Sequence, residues 1–238
     1  MDEFNDKVAL ITGASGNVGS ALARSFRKAG AKLALVDRHV DLLEEAFPDL
    51  VKVPECFLTS CADLTVKDDV DGVVADVFRH FGRIDVLVHT VGGFRAGTPL
   101  HETKLATLDF MLNLNAKTVF ITNQAVIGYM LQQGSGKIIN LAARAGLQGR
   151  ANMAAYSASK AAVIRLTESA AAEVKAHGIN VNCILPGTID TPQNRQAMPD
   201  ADFSRWVAPE SLADVVLFLA SEAARDIHGA AVPVYGRS

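Results

Sequence analysis

The stretch Val8-Ala9-Leu10-Ile11-Thr12-Gly13-Ala14-Ser15-Gly16-Asn17-Val18-Gly19 decides how the rest of the chain is read. Its first five residues are apolar or β-branched without polar alternation, the pattern of a strand covered on both faces, as in a parallel sheet. The glycines follow where such a strand must turn sharply into a helix. Glycine there permits a positive φ and lets a pyrophosphate come up against the backbone. The helix N-terminus adds unpaired N–H groups and a partial positive charge. Taken alone, the same glycines also suit an ordinary tight loop.

The next element narrows the choice. A second apolar run at 32–36 ends on Asp37, 18 residues after Gly19. A carboxylate there can bond both ribose hydroxyls of NAD and would repel the 2′-phosphate of NADP. The carboxylate sets the expectation of NAD in preference to NADP, against which stands Arg38, directly following and able to accept that phosphate. A surface aspartate at a strand end is the plain alternative.

Further strands are expected at Cys56–Ser60, 84–89, 137–141, 179–185 and 231–235, with helices from the glycine turn to about residue 29 and at 66–81, 102–133, 153–176 and 208–221. The 102–133 segment reads as one long or broken helix. Alternating strands and helices give an α/β, Rossmann-type, doubly wound and mostly parallel seven-stranded sheet with helices on both faces. No repeat or linker divides it, so residues 1–238 are expected to form a single domain.

Composition agrees. Of 238 residues, 49% are hydrophobic and 21% charged, which is globular usage. A net charge of −3 with no dense Lys/Arg run argues against nucleic acid. Cys56, Cys61 and Cys183 have neither the count nor the spacing of a disulfide frame or metal site, and read as structural thiols in a reducing compartment. The polar N-terminus does not read as a signal peptide, and no apolar stretch is long enough to span a bilayer. A cytoplasmic protein with no metal and no membrane partner is expected.

Tyr156-Ser157-Ala158-Ser159-Lys160 lies early in a helical segment, and the spacing of four sets Tyr156 and Lys160 on one face. A phenol ordinarily holds its proton to about pH 10, and a neighbouring ammonium favours the phenolate. The pair therefore suits a general acid/base beside a hydride donor. A surface pair of the same spacing is common by chance.

These pieces together resemble the short-chain dehydrogenase/reductase family over essentially the whole chain. The matching residues are Thr12-Gly13 through Gly19, Asp63 in Ala62-Asp63-Leu64, Asn115 in Leu114-Asn115-Ala116, the Tyr156/Lys160 pair, and Pro186-Gly187 after the sixth strand. The resemblance implies a catalytic set of Tyr156, Lys160 and Asn115, with Asn115 holding a water in a proton relay. It implies coenzyme contacts from Gly13, Ser15, Gly16, Asn17, Val18, Gly19, Asp37 and Arg38. Asp63 and Leu64 would meet the adenine; His89, Val91 and Gly92 would follow the fourth strand. Tyr156 and Lys160 reach the nicotinamide ribose, and Pro186, Gly187, Thr188 and Ile189 the carboxamide.

The chain also departs from the family. Asn17 stands where a glycine is usual. His89-Thr90-Val91-Gly92 replaces Asn-Asn-Ala-Gly, so His89 either reaches the ribose or is a buried structural histidine. Position 143, thirteen before the tyrosine, is Ala143 instead of the substrate-orienting serine. Losing one such donor typically costs about 10²–10³ in rate.

Dihydropteridine reductases, a divergent branch, share a Gly-x-x-Gly-x-x-Gly turn and an alanine at that place. The chain is similar to them in Gly92-Gly93-Phe94, in Asp190-Thr191-Pro192-Gln193-Asn194-Arg195 and in Met198-Pro199-Asp200-Ala201-Asp202-Phe203-Ser204-Arg205-Trp206, where the family builds its substrate lid, about 190–208. Asn113-Leu114-Asn115 instead looks like the mainstream reductases. Phe94, Ala143, Arg144 and the segment from Thr191 to Trp206 are expected to shape a pocket for a flat or anionic acceptor; loop packing for Phe94 and a solvent-facing charge for Arg144 are the plain alternatives.

The expected function is an NAD(H)-dependent oxidoreductase transferring hydride between nicotinamide C4 and a small organic substrate, with Tyr156 as acid/base. Reduction of a quinonoid pterin, or a weakened NAD-binding regulatory protein, are the alternatives. Apolar residues on more than one face of the 102–133 and 153–176 helices point to a homodimer or homotetramer.

Overall fold

Strand β1 (Val8–Thr12) is buried along its whole length, and its side chains divide between two cores. Ala9 and Ile11 face one, Val8 and Leu10 the other, as the two-residue period of a strand requires. The chain continues through α1 (Asn17–Lys28), β2 (Lys32–Asp37), α2 (Val40–Ala46), β3 (Cys56–Ser60), α3 (Lys67–Phe81) and β4 (Val86–His89). Then follow α4 (Leu105–Met111), a π-helical segment (Leu112–Lys117), α5 (Thr118–Gln133), β5 (Gly136–Leu141) and α6 (Ala154–Val174). The last elements are β6 (Ile179–Pro186), α7 (Pro192–Ala197), α8 (Pro209–Ala220) and β7 (Ala231–Val234). The computed structural model describes residues 3–61 and 63–237, so the first two residues of the polar N-terminus and Ala62 lie outside the description.

All seven strands lie in one sheet of order β3-β2-β1-β4-β5-β6-β7, and every pairing is parallel. Leu22 and Phe26 of α1 and Leu212 and Val216 of α8 cover one face against Ile11, Leu35, Val88 and Ile184. Val70, Val74 and Val77 of α3, Val126 and Met130 of α5 and Val174 of α6 cover the other, against Leu10, Val36, Leu87 and Val181. This is the doubly wound sandwich that the apolar runs predict.

Three local differences matter. The fourth strand starts at Val86 rather than at 84, because the Ile84 N–H is taken by Gln133 Oε1 at 2.9 Å. The expected 102–133 helix begins at Leu105 and widens into the π-helical segment, which carries Asn115. Two short helices escape the sequence reading, α2 and α7. The first buries only Leu43, too little to make a periodic stripe. Among the described residues, no helix is long and apolar enough to cross a membrane.

Candidate active site

The strand order reverses direction between β1 and β4, and open α/β sheets bind ligands in the crevice that this reversal leaves at the carboxyl ends of the strands. A cleft of about 820 Å³ opens there, lined from the glycine-rich turn at one end to Phe94, Tyr156 and Met198 at the other.

The turn is built for close approach. Gly13 takes φ +69°, and a Cβ there would stand 2.8 Å from Thr90 Oγ1. A Cβ on Gly19 would run into the Gly13 carbonyl oxygen, so α1 can pack against the turn only with glycine at that position. The N-cap of α1 is Gly16, which supplies no side-chain cap, and no acidic residue occupies the first turn. Its positive end is left for an anion. Asp37 lines the same end of the cleft. Its Oδ2 accepts from Ser15 N–H at 3.0 Å and Ser15 Oγ at 2.7 Å, and its Oδ1 from Arg38 N–H at 2.8 Å. A carboxylate offers about four acceptor positions, so this one is fixed in place with capacity left for a diol. Glycine cradle, helix terminus and oriented carboxylate fit a dinucleotide.

Asn17, the residue in place of the usual glycine, reaches across the cleft: its Nδ2 donates to Gln193 Oε1 of α7 at 2.9 Å. The glycine-rich turn is thereby tied to a segment 176 residues away.

At the other end, Tyr156 lies in the first turn of α6 and Lys160 one turn later. The expected Tyr156–Lys160 tuning is not what the protein's own groups produce. Lys160 Nζ donates to the Leu141 carbonyl at 2.8 Å, and burial lowers its pKa to about 8. Burial likewise raises Tyr156 to about 12. Desolvation outweighs charge pairing here. The Phe94 ring meets Tyr156 edge to face with centroids 4.8 Å apart.

His89 is the buried structural histidine of the two readings. It is fully enclosed and does not line the cleft. Nδ1 lies 3.0 Å from Thr12 Oγ1 and Nε2 3.1 Å from Thr118 Oγ1. Thr118 already donates its hydroxyl hydrogen to Leu114 O at 2.8 Å, so Nε2–H donates to Thr118 and Nδ1 accepts from Thr12. This is the neutral ring, and burial first, then the Lys160 charge, lowers its pKa to about 3.

Asn115 also lies behind the cleft wall rather than on it. Its Oδ1 accepts from Gly93 N–H at 2.8 Å, and its Nδ2 donates to Gly93 O at 3.1 Å and Ser159 Oγ at 2.9 Å. The side chain is spent on holding the Gly92-Gly93 loop against α6. A Cβ on Gly92 would come within 2.9 Å of Asn115 Oδ1 and 3.1 Å of Lys160 Nζ.

Of the remaining expected residues, Ser15, Gly16, Val18, Val91, Gly92, Pro186, Gly187, Thr188 and Ile189 line the cleft, as do Phe94, Ala143 and Arg144. Arg144 holds its guanidinium 4.9 Å over the Tyr235 ring. Arg38, Asp63, Leu64 and Trp206 are not among the lining residues. Asp63 caps its own turn by accepting from Thr65 N–H at 2.8 Å, and Trp206 packs on Phe203 instead. Sequence reasoning missed Thr90, Leu141, Ala142, Ala145, Arg150 and Met153 as lining residues, whereas Thr191, Asn194 and Met198 lie in the segment it expected to shape the pocket. For Thr191 and Asn194 a signal existed: Thr191 before Pro192 is an N-cap pattern, and its Oγ1 accepts from Asn194 N–H at 3.2 Å.

Comparison with known proteins agrees with this geometry. A family model described as short chain dehydrogenase matches residues 7–202. The chain is 35% identical to the (2S)-[(R)-hydroxy(phenyl)methyl]succinyl-CoA dehydrogenase subunit BbsD of Thauera aromatica, covering 98% of this chain and 96% of that protein. It is 33% identical to 2-(R)-hydroxypropyl-CoM dehydrogenase of Xanthobacter autotrophicus, covering 97% of each. Among solved structures it is similar to an NAD+-bound xylitol dehydrogenase, with TM-score 0.89, 31% identity and coverage of 99% of this chain and 100% of that one. Levodione reductase gives TM-score 0.90 and 32% identity over 98% of this chain and 97% of that one. The chain belongs to the short-chain dehydrogenase/reductase family and is an oxidoreductase of that family.

Proposed function

We propose that the protein transfers hydride between NAD(H) and a secondary alcohol or the corresponding ketone, with Tyr156 carrying the proton. The observation behind this reading is that one cleft joins the glycine cradle and Asp37 to Tyr156 and Lys160. Gly13 and Ser15 to Gly19 would receive the pyrophosphate, Asp37 the adenosine ribose, Lys160 the nicotinamide ribose, and Val91, Gly92 and Pro186 to Ile189 the nicotinamide. Bound there, NAD supplies C4 as hydride donor or acceptor and, when oxidised, a positive charge near the phenol.

The chain's residues do the rest. Lys160, with its pKa near 8, is mostly ammonium at neutral pH and holds the strand β5 end through Leu141 O. Tyr156 is protonated at neutral pH and thus ready to donate to a developing alkoxide. Ala143 brings no hydroxyl to the cleft, so stabilisation of that oxygen falls to Tyr156. Asp37 lines the cleft and Arg38 does not, which favours NAD over NADP. The segment 190–208 serves as the substrate lid, linked to the coenzyme side through Asn17 and Gln193.

A second reading, reduction of a quinonoid dihydropterin, is favoured by the same alanine, since that reaction leaves no alkoxide for a serine to bind. Exposed Leu105, Phe110, Phe120 and Leu131 on α4 and α5 support assembly with further copies of the chain, testable by light scattering. Three buried free cysteines suit a reducing compartment such as the cytoplasm.

The deciding experiment is NADH consumption with a ketone panel, a quinonoid dihydropterin and an NADPH control. Turnover of ketones supports the first reading and turnover of the pterin alone the second. NADH binding without any turnover would mean that a regulatory nucleotide-binding role has replaced chemistry.

A further inference from the structure

The substrate half of the cleft is cationic without need. The ionisable side chains lining the whole cleft are Asp37, Arg144, Arg150, Tyr156 and Lys160. Asp37, the single carboxylate, belongs to the opposite end, where Ser15 fixes it. Lys160 is buried and directed to Leu141 O, and Arg144 lies over Tyr235. Arg150 is different. Among the described residues, no hydrogen bond, ion pair or ring contact engages its guanidinium.

The segment that presents Arg150 is nevertheless tied down. Asn152 takes φ +61°, a left-handed backbone uncommon outside glycine, and its carbonyl accepts from Gly97 N–H at 2.8 Å. Met153 N–H closes back on the Arg150 carbonyl at 3.3 Å, one residue before α6 begins. Arg150 is therefore anchored six residues ahead of Tyr156, on the wall that also carries Met153. Apolar Phe94, Ile189 and Met198 line the same half. This wall offers hydrocarbon contact and one uncommitted planar cation, with no acidic side chain among the lining residues of this half to neutralise it. An arginine fork matches a carboxylate bidentately.

We propose that the substrate is a hydroxy- or keto-acid anion whose carboxylate binds Arg150 while its carbinol or carbonyl carbon lies at Tyr156. The inference rests on the oxidoreductase reading above and specifies the substrate class. Arg150 chooses the substrate and takes no part in proton or hydride movement.

The test compares short keto-acids, such as 4-oxocyclohexanecarboxylate, with their methyl esters, in wild type, Arg150→Gln and, as control, Arg165→Gln on the exposed, Glu168-paired surface of α6. A charge-assisted contact predicts an acid-over-ester ratio of kcat/KM of about 10–100 in wild type, expressed in KM. The ratio should collapse toward unity in Arg150→Gln and persist in Arg165→Gln. Calorimetric binding of cyclohexanecarboxylate to the NAD+-saturated protein gives a readout that needs no turnover, and should weaken about tenfold in Arg150→Gln. Turnover of ketones with equal rates for acid and ester, or a ratio retained without Arg150, overturns the proposal and leaves the oxidoreductase reading standing. Arg150-dependent binding of the carboxylate with no turnover of any ketone keeps the anion site and removes that reading. Equal binding by both forms overturns the anion site outright.

Discussion

Phe94 presses the edge of its ring against Tyr156, with centroids 4.8 Å apart and planes at 82°, although Phe94 itself is 63% exposed. It shields a phenol whose pKa burial alone has raised to about 12. Removing the shield lets water reach the phenol and lowers that value toward the ordinary tyrosine range. Alcohol oxidation needs the phenolate, so its rate rises with pH. In Phe94→Ala that rise should come at lower pH, read as kcat/KM from about pH 7 to 10. An unmoved profile would show that the ring contact does not govern the proton.

Tyr156→Phe keeps the ring and loses the hydroxyl. Turnover should fall by about 10²–10⁴ while NADH affinity, followed by fluorescence titration, changes by no more than about twofold. Equal turnover would remove Tyr156 from the chemistry.

Asp37→Ser removes the carboxylate that Ser15 and Arg38 N–H hold at the coenzyme end. KM for NAD should rise about 10–100-fold and the discrimination against NADP should shrink by a similar factor. Steady-state kinetics with both coenzymes measures it, and an unchanged preference would place the selection elsewhere.

His89 makes stability depend on pH in the acid direction. Above the ordinary histidine value of 6.5 the ring is neutral in both folded and unfolded chains and exerts no pull. Below it the unfolded chain binds a proton that the folded one refuses until about pH 3, so stability is lost as pH falls through that window. At pH 4.5 the loss should be about 2–3 kcal/mol relative to pH 7. In His89→Asn the guanidinium midpoint should fall less between those two pH values; an equal fall would assign the acid sensitivity to other groups.

Asp85 is a buried carboxylate at the foot of β4. It accepts from Val8 N–H at 2.9 Å and from Arg83 through Nε at 2.7 Å and Nη2 at 2.6 Å. Asp85→Ala strands those donors and should cost about 2–3 kcal/mol, visible as a lower denaturant midpoint with little change in KM for NAD. An unchanged midpoint would show water replacing the carboxylate.

The strands were legible because burial on both faces leaves them few polar residues, and because the first is followed by glycines that only a tight strand-to-helix turn demands. Short helices were less so. α2 buries one leucine and leaves Val40 and Leu42 exposed, which erases the periodic stripe on which a helix is recognised. In the site, Tyr156, Lys160 and Asp37 were readable because their spacing relates them to elements already placed. His89 and Asn115 carry polar groups whose direction depends on their tertiary partners, Thr12 and Thr118 for one, Gly93 and Ser159 for the other. Thr90 and Arg150 line the cleft from segments far apart in sequence, which no local pattern encodes.

The wide turn at Leu112–Lys117 joins two α-helical stretches, and it has the character of a single surplus residue. Each α-helical residue advances the helix by about 100°. Deleting one residue inside the segment would close the α-helical ladder throughout and leave the two flanking stretches facing as they now do, because the wide turn already absorbs that angle; only the residues of the turn itself would be re-aimed. Asn115 lies inside that turn and would lose the direction that brings it to Gly93 and Ser159, while Phe120, in the flanking α5, would keep its own. The chain's length through this helix therefore carries as much information as its composition, and an otherwise harmless one-residue deletion here would detach the Gly92-Gly93 loop from α6.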